Sequence, residues 1–191
     1  MADSITARAD DKPFTIPPEG SYTAICVDIV DMGEQLNEHF GKWQHKCALI
    51  FQIDEKNPDT GRRFEMAERH SVTMGEKANL RKFLGQWRGK MYSDAEAKEG
   101  APLEKLVGVN ALVQIGHKAS PSTGKVYANI ISIMPLPKAM PKIAPEKYER
   151  AEYWAEVKKK ARVPEAIPSY NGFEDFPQAL EDAGSHDLPF N

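Results

Sequence analysis

The sequence is poor in several things that would have named a class at once. It has only two cysteines, Cys26 and Cys47, among 191 residues. That excludes a disulfide framework and fits a reducing compartment. No apolar run approaches the roughly 18 residues of a membrane span. The first residues carry neither a basic stretch nor an apolar core of the signal-peptide kind, so a cytoplasmic protein is expected, in the host cytoplasm if the source is viral. Cys-x-x-Cys and His-x-x-x-His ligand pairs are missing, as are a phosphate loop ending in Lys-Ser/Thr and a nucleophile elbow. Glu65 with Glu68, or Asp54 with Asp59, are carboxylate pairs without a metal-ligand pattern. The expectation is therefore no catalytic residue, no metal and no cofactor. Net positive charge is also absent. The chain sums to −3, which taken whole argues against a nucleic-acid partner.

Located along the chain, the charge says something else. Residues 1–41 hold two Lys/Arg and eight Asp/Glu. Residues 42–90 hold eleven Lys/Arg against six acids, and 142–162 hold seven against four. Residues 163–191 contain no Lys or Arg and six acids. A basic middle followed by a purely acidic tail is the pattern of an interaction tail, and one able to compete for what the basic surface binds. The plainer alternative is that the middle charges are scattered over a solvated surface.

Hydropathy periods divide the rest. Residues 1–19, with Pro13, Pro17 and Pro18, read as an extended arm. Ile25, Val27 and Ile29 alternate as in a strand, and Asp31 to Gly41 reads as a loop. Trp43 to Asp54 and Arg62 to Thr73 form a hairpin across the Pro58–Gly61 turn. Leu80, Phe83, Leu84 and Trp87 recur as one helical stripe. Residues 92–105 look irregular. Strands follow over Leu106 to Ile115 and Lys125 to Ile133, then a Pro-rich linker and a helix over Glu146 to Arg162. The order β-β-β-α-β-β is that of the OB-fold, a five-stranded Greek-key barrel with its helix between strands three and four. The expected organisation is an arm (1–19), a mainly β (α+β) OB-fold domain (20–137), a linker and helix (138–163), and a disordered acidic tail (164–191).

Single strands bound without sequence preference require Lys and Arg for phosphates and aromatics for base stacking. The binding face of an OB-fold lies over strands two and three, between two hairpin loops. This singles out Lys42, Trp43, Lys46, Arg62, Arg63, Phe64 and Arg69, with Lys118, Lys125 and Tyr127 at the second loop. Phe64 also fits a core position, and Trp43 fits edge packing as well as stacking.

The chain ends Asp187-Leu188-Pro189-Phe190-Asn191. This resembles the acidic tail tip of bacterial single-stranded DNA-binding proteins, where Asp-Ile-Pro-Phe closes the chain; here Asn191 follows the Phe. Four segments resemble small phage-encoded single-stranded DNA-binding proteins over roughly residues 14–136: Pro18-Glu-Gly-Ser-Tyr-Thr-Ala, Thr60-Gly-Arg-Arg-Phe64, Lys82-Phe-Leu and Lys125-Val-Tyr-Ala-Asn-Ile-Ile-Ser-Ile. The resemblance implies a protein that coats single-stranded DNA in replication, recombination or repair. It also implies that Asp187, Leu188, Pro189 and Phe190 recruit partner proteins. A homodimer is left open. A nuclease, or a protein-binding adaptor on the same scaffold, are the competing readings.

Overall fold

The computed structural model describes residues 15–37 and 41–162. The fold is mainly β: one five-stranded antiparallel sheet with a few helices. Strands β1 (Gly20–Asn37), β2 (Lys42–Lys56), β3 (Arg63–Ser71), β4 (Asn110–Ala119) and β5 (Val126–Pro135) are arranged β3-β2-β1-β4-β5. Between β3 and β4 lie α1 (Asn79–Arg88), α2 (Asp94–Glu99) and a 3-10 turn over Leu103–Leu106; α3 (Glu152–Lys159) follows β5. No helix among the described residues is long and apolar enough to cross a membrane.

β1 is the shared strand. Its first residues, Gly20–Ile25, pair with β4, and Ala24–Asn37 pair with β2. Two register shifts, at Cys26/Asp28 and Asp31/Gly33, bend it. The sheet curls far enough for its two edges, β3 and β5, to approach each other.

Both faces of the sheet centre are covered. On one face Leu49, Phe51 and Ile53 of β2 meet Leu80, Phe83, Leu84 and Trp87 of α1, with Val113 and Ile115 from β4. The apolar stripe thus packs as its helical spacing requires. α1 ends where Gly89 adopts φ 75°, and the Lys90 N–H returns to the Gly85 carbonyl at 3.0 Å. On the other face Val30, Met32, Ala48 and Ile50 meet Trp154 of α3. This second contact explains why β2 carries apolar residues at consecutive positions over 47–51 rather than a clean alternation.

Several sequence boundaries move. Asp31–Asn37, expected as loop, continues β1; Gly33 takes the bulge conformation at φ 67°. The Leu106 strand start becomes the 3-10 turn, with β4 beginning at Asn110. Residues 94–99 form a short helix closed by a capping box between Ser93 and Glu96. The last helix begins at Glu152 rather than Glu146, because residues 141–151 are an extended strap bound to the sheet. Asn110 brackets Ile143 with reciprocal bonds of 3.1 and 2.9 Å, and the Glu146 N–H donates to the buried Gln52 side chain at 2.9 Å. Asp28 receives Tyr148 at 2.8 Å and Arg150 at 2.6 and 2.7 Å. Burial pushes the Asp28 carboxyl up, but these donors prevail and hold it below the ordinary value.

Candidate nucleic-acid interface

The expected site residues separate into three groups. Lys42, Trp43 and Lys46 open β2. Trp43 stands opposite Leu36, is 42% exposed, and has the Arg162 guanidinium 6.0 Å from its ring centroid. It is outside the core clusters, and more than half of its surface is covered at this hairpin edge. Lys42 is exposed and Lys46 half-buried.

The β3 group behaves differently. Arg62 donates to the Lys147 carbonyl at 2.6 Å and Arg63 to the Ala144 carbonyl at 2.6 Å. The Arg63 Nε lies 3.4 Å from Glu146. These two guanidiniums clamp the strap, and their donors are directed at peptide carbonyls instead of at solvent. Phe64 is 6% exposed and belongs to the α1-face core, so it is not a stacking platform in this conformation. Its β-strand parity with Met66 places it there, which the alternation over 64–66 already allowed. Arg69 is exposed but anchored, donating to the Tyr153 hydroxyl at 3.0 Å with its guanidinium 5.2 Å from the Trp154 ring.

Lys118, Lys125 and Tyr127 lie exposed at the β4–β5 hairpin, Lys118 opposite Tyr127. Tyr127 borders a groove of about 340 Å³ with Arg62 to Glu68, and that groove includes Glu65 and Glu68. Asp187, Leu188, Pro189 and Phe190 lie outside the described residues.

The remaining cations converge elsewhere. A groove of about 720 Å³ opens at the end of the β1–β2 hairpin. Lys46 and Arg69 line it from the sheet, Lys77 from the turn before α1, and Lys160 from the end of α3. Ser71, Thr73, Gln44, Asn37 and Asn79 add uncharged donors, and none of the lining residues is a carboxylate. Lys46, Lys77 and Lys160 form no ion pair among the described residues. The adjoining N-terminus of α1 has no side-chain cap at Ala78 and no acid in its first turn, so its orphan N–H groups add to the positive potential. His70 also borders the groove. It packs on Phe83 at 4.8 Å, and its Nε2 is buried without a hydrogen-bond partner among the described residues. Burial lowers the His70 pKa and raises that of Glu68 to about 6. Their 4.0 Å approach is thus a contact of groups both biased toward neutrality, not an ion pair.

Sequence reasoning missed Lys77, Tyr153 and Lys160 as groove residues. The available signal was helical spacing: Tyr153, Val157 and Lys160 stand at i, i+4 and i+7. What it lacked was the partner of that helix face.

A third cavity, of about 530 Å³, lies beside α1 and is largely apolar, bordered by Leu84, Trp87, Tyr92, Leu106, Val109 and Pro135. Its Arg88 is engaged by Glu96 at 3.1 Å and covers the Tyr92 ring at 3.9 Å, so it does not offer a free cation. Cys26 and Cys47 are buried, and burial raises their thiols to about 12 and 11, away from the reactive thiolate. No family model and no curated protein matches the chain.

Proposed function

We propose that this protein is an OB-fold single-stranded DNA-binding protein of the phage type. It coats and protects unwound DNA during replication and recombination and makes or breaks no bond. The observation that carries the reading is the groove at the β1–β2 hairpin, which gathers four cations and no carboxylate; Trp43 is exposed on the same hairpin, outside the groove lining. A polyanion with stackable bases fits such a surface: phosphates take the lysines, and a base takes the indole. The scaffold supports the same reading. A five-stranded antiparallel sheet with β1 shared between β2 and β4, approaching edges and helix α1 between β3 and β4 is consistent with an OB-like barrel. In this proposal the acidic residues after 163 recruit replication or recombination proteins through Asp187, Leu188, Pro189 and Phe190, and compete weakly for the groove.

Titration with oligo-dT at two salt concentrations tests it. Binding that quenches tryptophan fluorescence and weakens with salt is expected. No binding at low salt overturns the reading, and cleavage of the strand in Mg²⁺ replaces it with a nuclease. Deleting residues 164–191 is expected to tighten binding at low salt; unchanged or weaker binding rejects the competing role of the tail.

A further inference from the structure

We infer that α3 is a wall of the strand-binding groove and that Lys160 contacts the sugar–phosphate backbone of the bound strand. The inference rests on the nucleic-acid reading above and adds to it a segment that looked, in sequence, like a spacer leading to the tail.

Three observations carry it. The first is that α3 is fixed in place. Trp154 is 7% exposed between Ala48 and Ile50, Lys158 pairs with Asp31 at 2.8 Å, and Gln35 donates to the Val157 carbonyl at 3.1 Å. Beyond the helix the Arg162 N–H donates to the Glu34 carbonyl at 3.0 Å, and Ala161 lies so close to Gly33 that a Cβ there would stand 2.8 Å from it. Lys158, the Gly33 N–H and His45 together hold the Asp31 carboxyl far below the usual carboxylate range, so this attachment is charged at neutral pH. A helix held at both ends presents a fixed surface.

The second is which surface it presents. Tyr153, Val157 and Lys160 face the groove, opposite Lys46 and Arg69, whereas Lys159 does not line it. An aromatic ring, an aliphatic patch and a cation along one wall match a chain that alternates apolar bases and sugars with phosphates.

The third is where the strand has no room. The strap clamps Arg62 and Arg63 and crosses the α3 face of β1 and β2, the face that an open OB barrel would offer. The strap and α3 therefore divert the strand to the groove that α3 itself borders.

The test compares two neighbouring charge reversals in the full chain, Lys160→Glu and Lys159→Glu. Both change the net charge equally on the same helix end, so long-range attraction falls alike; only the first lies in the groove. Binding of a labelled dT oligonucleotide is measured by anisotropy across a salt series. Lys160→Glu is expected to weaken binding about tenfold at low salt and to flatten the salt slope by about one. Lys159→Glu is expected to stay within about twofold of the wild type. Equal losses in the two variants, or none in either, overturn the inference while wild-type binding leaves the functional reading standing. Absence of wild-type binding overturns both. Where thermal melts show that Lys160→Glu unfolds, Lys160→Ala against Lys159→Ala carries the same comparison, with a smaller expected ratio of about three to five.

Discussion

The arginines of β3 and the lysines around the groove look interchangeable in sequence, and the structure uses them for different ends. Arg62 and Arg63 satisfy carbonyls of an extended strap that has no strand neighbour of its own. Their planar, multi-donor heads suit that task, because one guanidinium can hold a peptide oxygen and a carboxylate together. Lys46, Lys77 and Lys160 keep their ammonium groups at the rim of an open cavity. In the proposed function a lysine there, hydrated and flexible, adapts to a phosphate that arrives in varying positions. Positive charge on a strand thus marks neither role by itself; what the neighbouring segment requires of it decides.

The sharpest way to break this division is to remove the part that enforces it. Trp154→Ala is expected to cost about 3–5 kcal/mol in denaturant unfolding, as large aromatic truncations in cores do. It is also expected to weaken DNA binding by loosening α3. A loss below 1 kcal/mol would mean that the helix is not packed as described.

Arg63→Ala sharpens the comparison from the other side. It leaves the Ala144 carbonyl without its donor and removes the nearer cation beside Glu146, with Lys56 remaining at 4.0 Å, and is expected to cost about 1–3 kcal/mol of stability. Its affinity for oligo-dT, corrected for folded fraction, should change less than about twofold. A tenfold loss of affinity with an unchanged melt would return Arg63 to the interface.

Glu68 sits where the two sheet edges meet. Its folded pKa of about 6 exceeds the ordinary 4.5, so the folded state binds more protons between these values and stability falls as pH rises through that window. Glu68→Gln keeps the shape of the side chain without the buried charge and is expected to raise stability at pH 7 by about 1–2 kcal/mol. It should also flatten the stability profile between pH 4.5 and 6. A profile in that window that the variant leaves unchanged would show that Glu68 is not the titrating group.

The smallest effect on stability belongs to the groove. Lys46→Ala with Lys77→Ala should change unfolding free energy by less than about 0.5 kcal/mol, as surface substitutions do. The pair should lower the salt slope of oligo-dT binding by about two. A melt that shifts with no change in slope would place these lysines with the structural arginines.

Much of the fold was legible before any coordinates. The stripe Leu80, Phe83, Leu84, Trp87 specified α1 and its buried face, and alternation placed Leu49, Phe51 and Ile53 of β2 and Phe64 and Met66 of β3 on the α1 face. It misplaced β1, where the register shift at Cys26/Asp28 sends Val27 and Ile29 to opposite faces, and it counted Val72, which is exposed. The Ser93–Glu96 capping box was equally present in the sequence, but a six-residue helix buries no side chain and so leaves no hydropathy period to reveal it. The extension of β1 past Asp31 was hidden for a related reason. The bulge at Gly33 interrupts the alternation, and Gly33 itself resembles a loop residue.

The sequence by itself determined the element order, the α1-face core and the separation of a basic middle from an acidic end, because each is written in local periodicity or composition. Only the tertiary structure decided which cations are free. Arg62 and Lys147, or Lys46 and Lys160, are separated by long stretches of chain, and nothing local to either pair states that one holds a carbonyl and the other shares a cavity. That assignment arises when Trp154 finds Ala48 and Ile50, lays the strap over the sheet, and leaves one basic groove open at its margin.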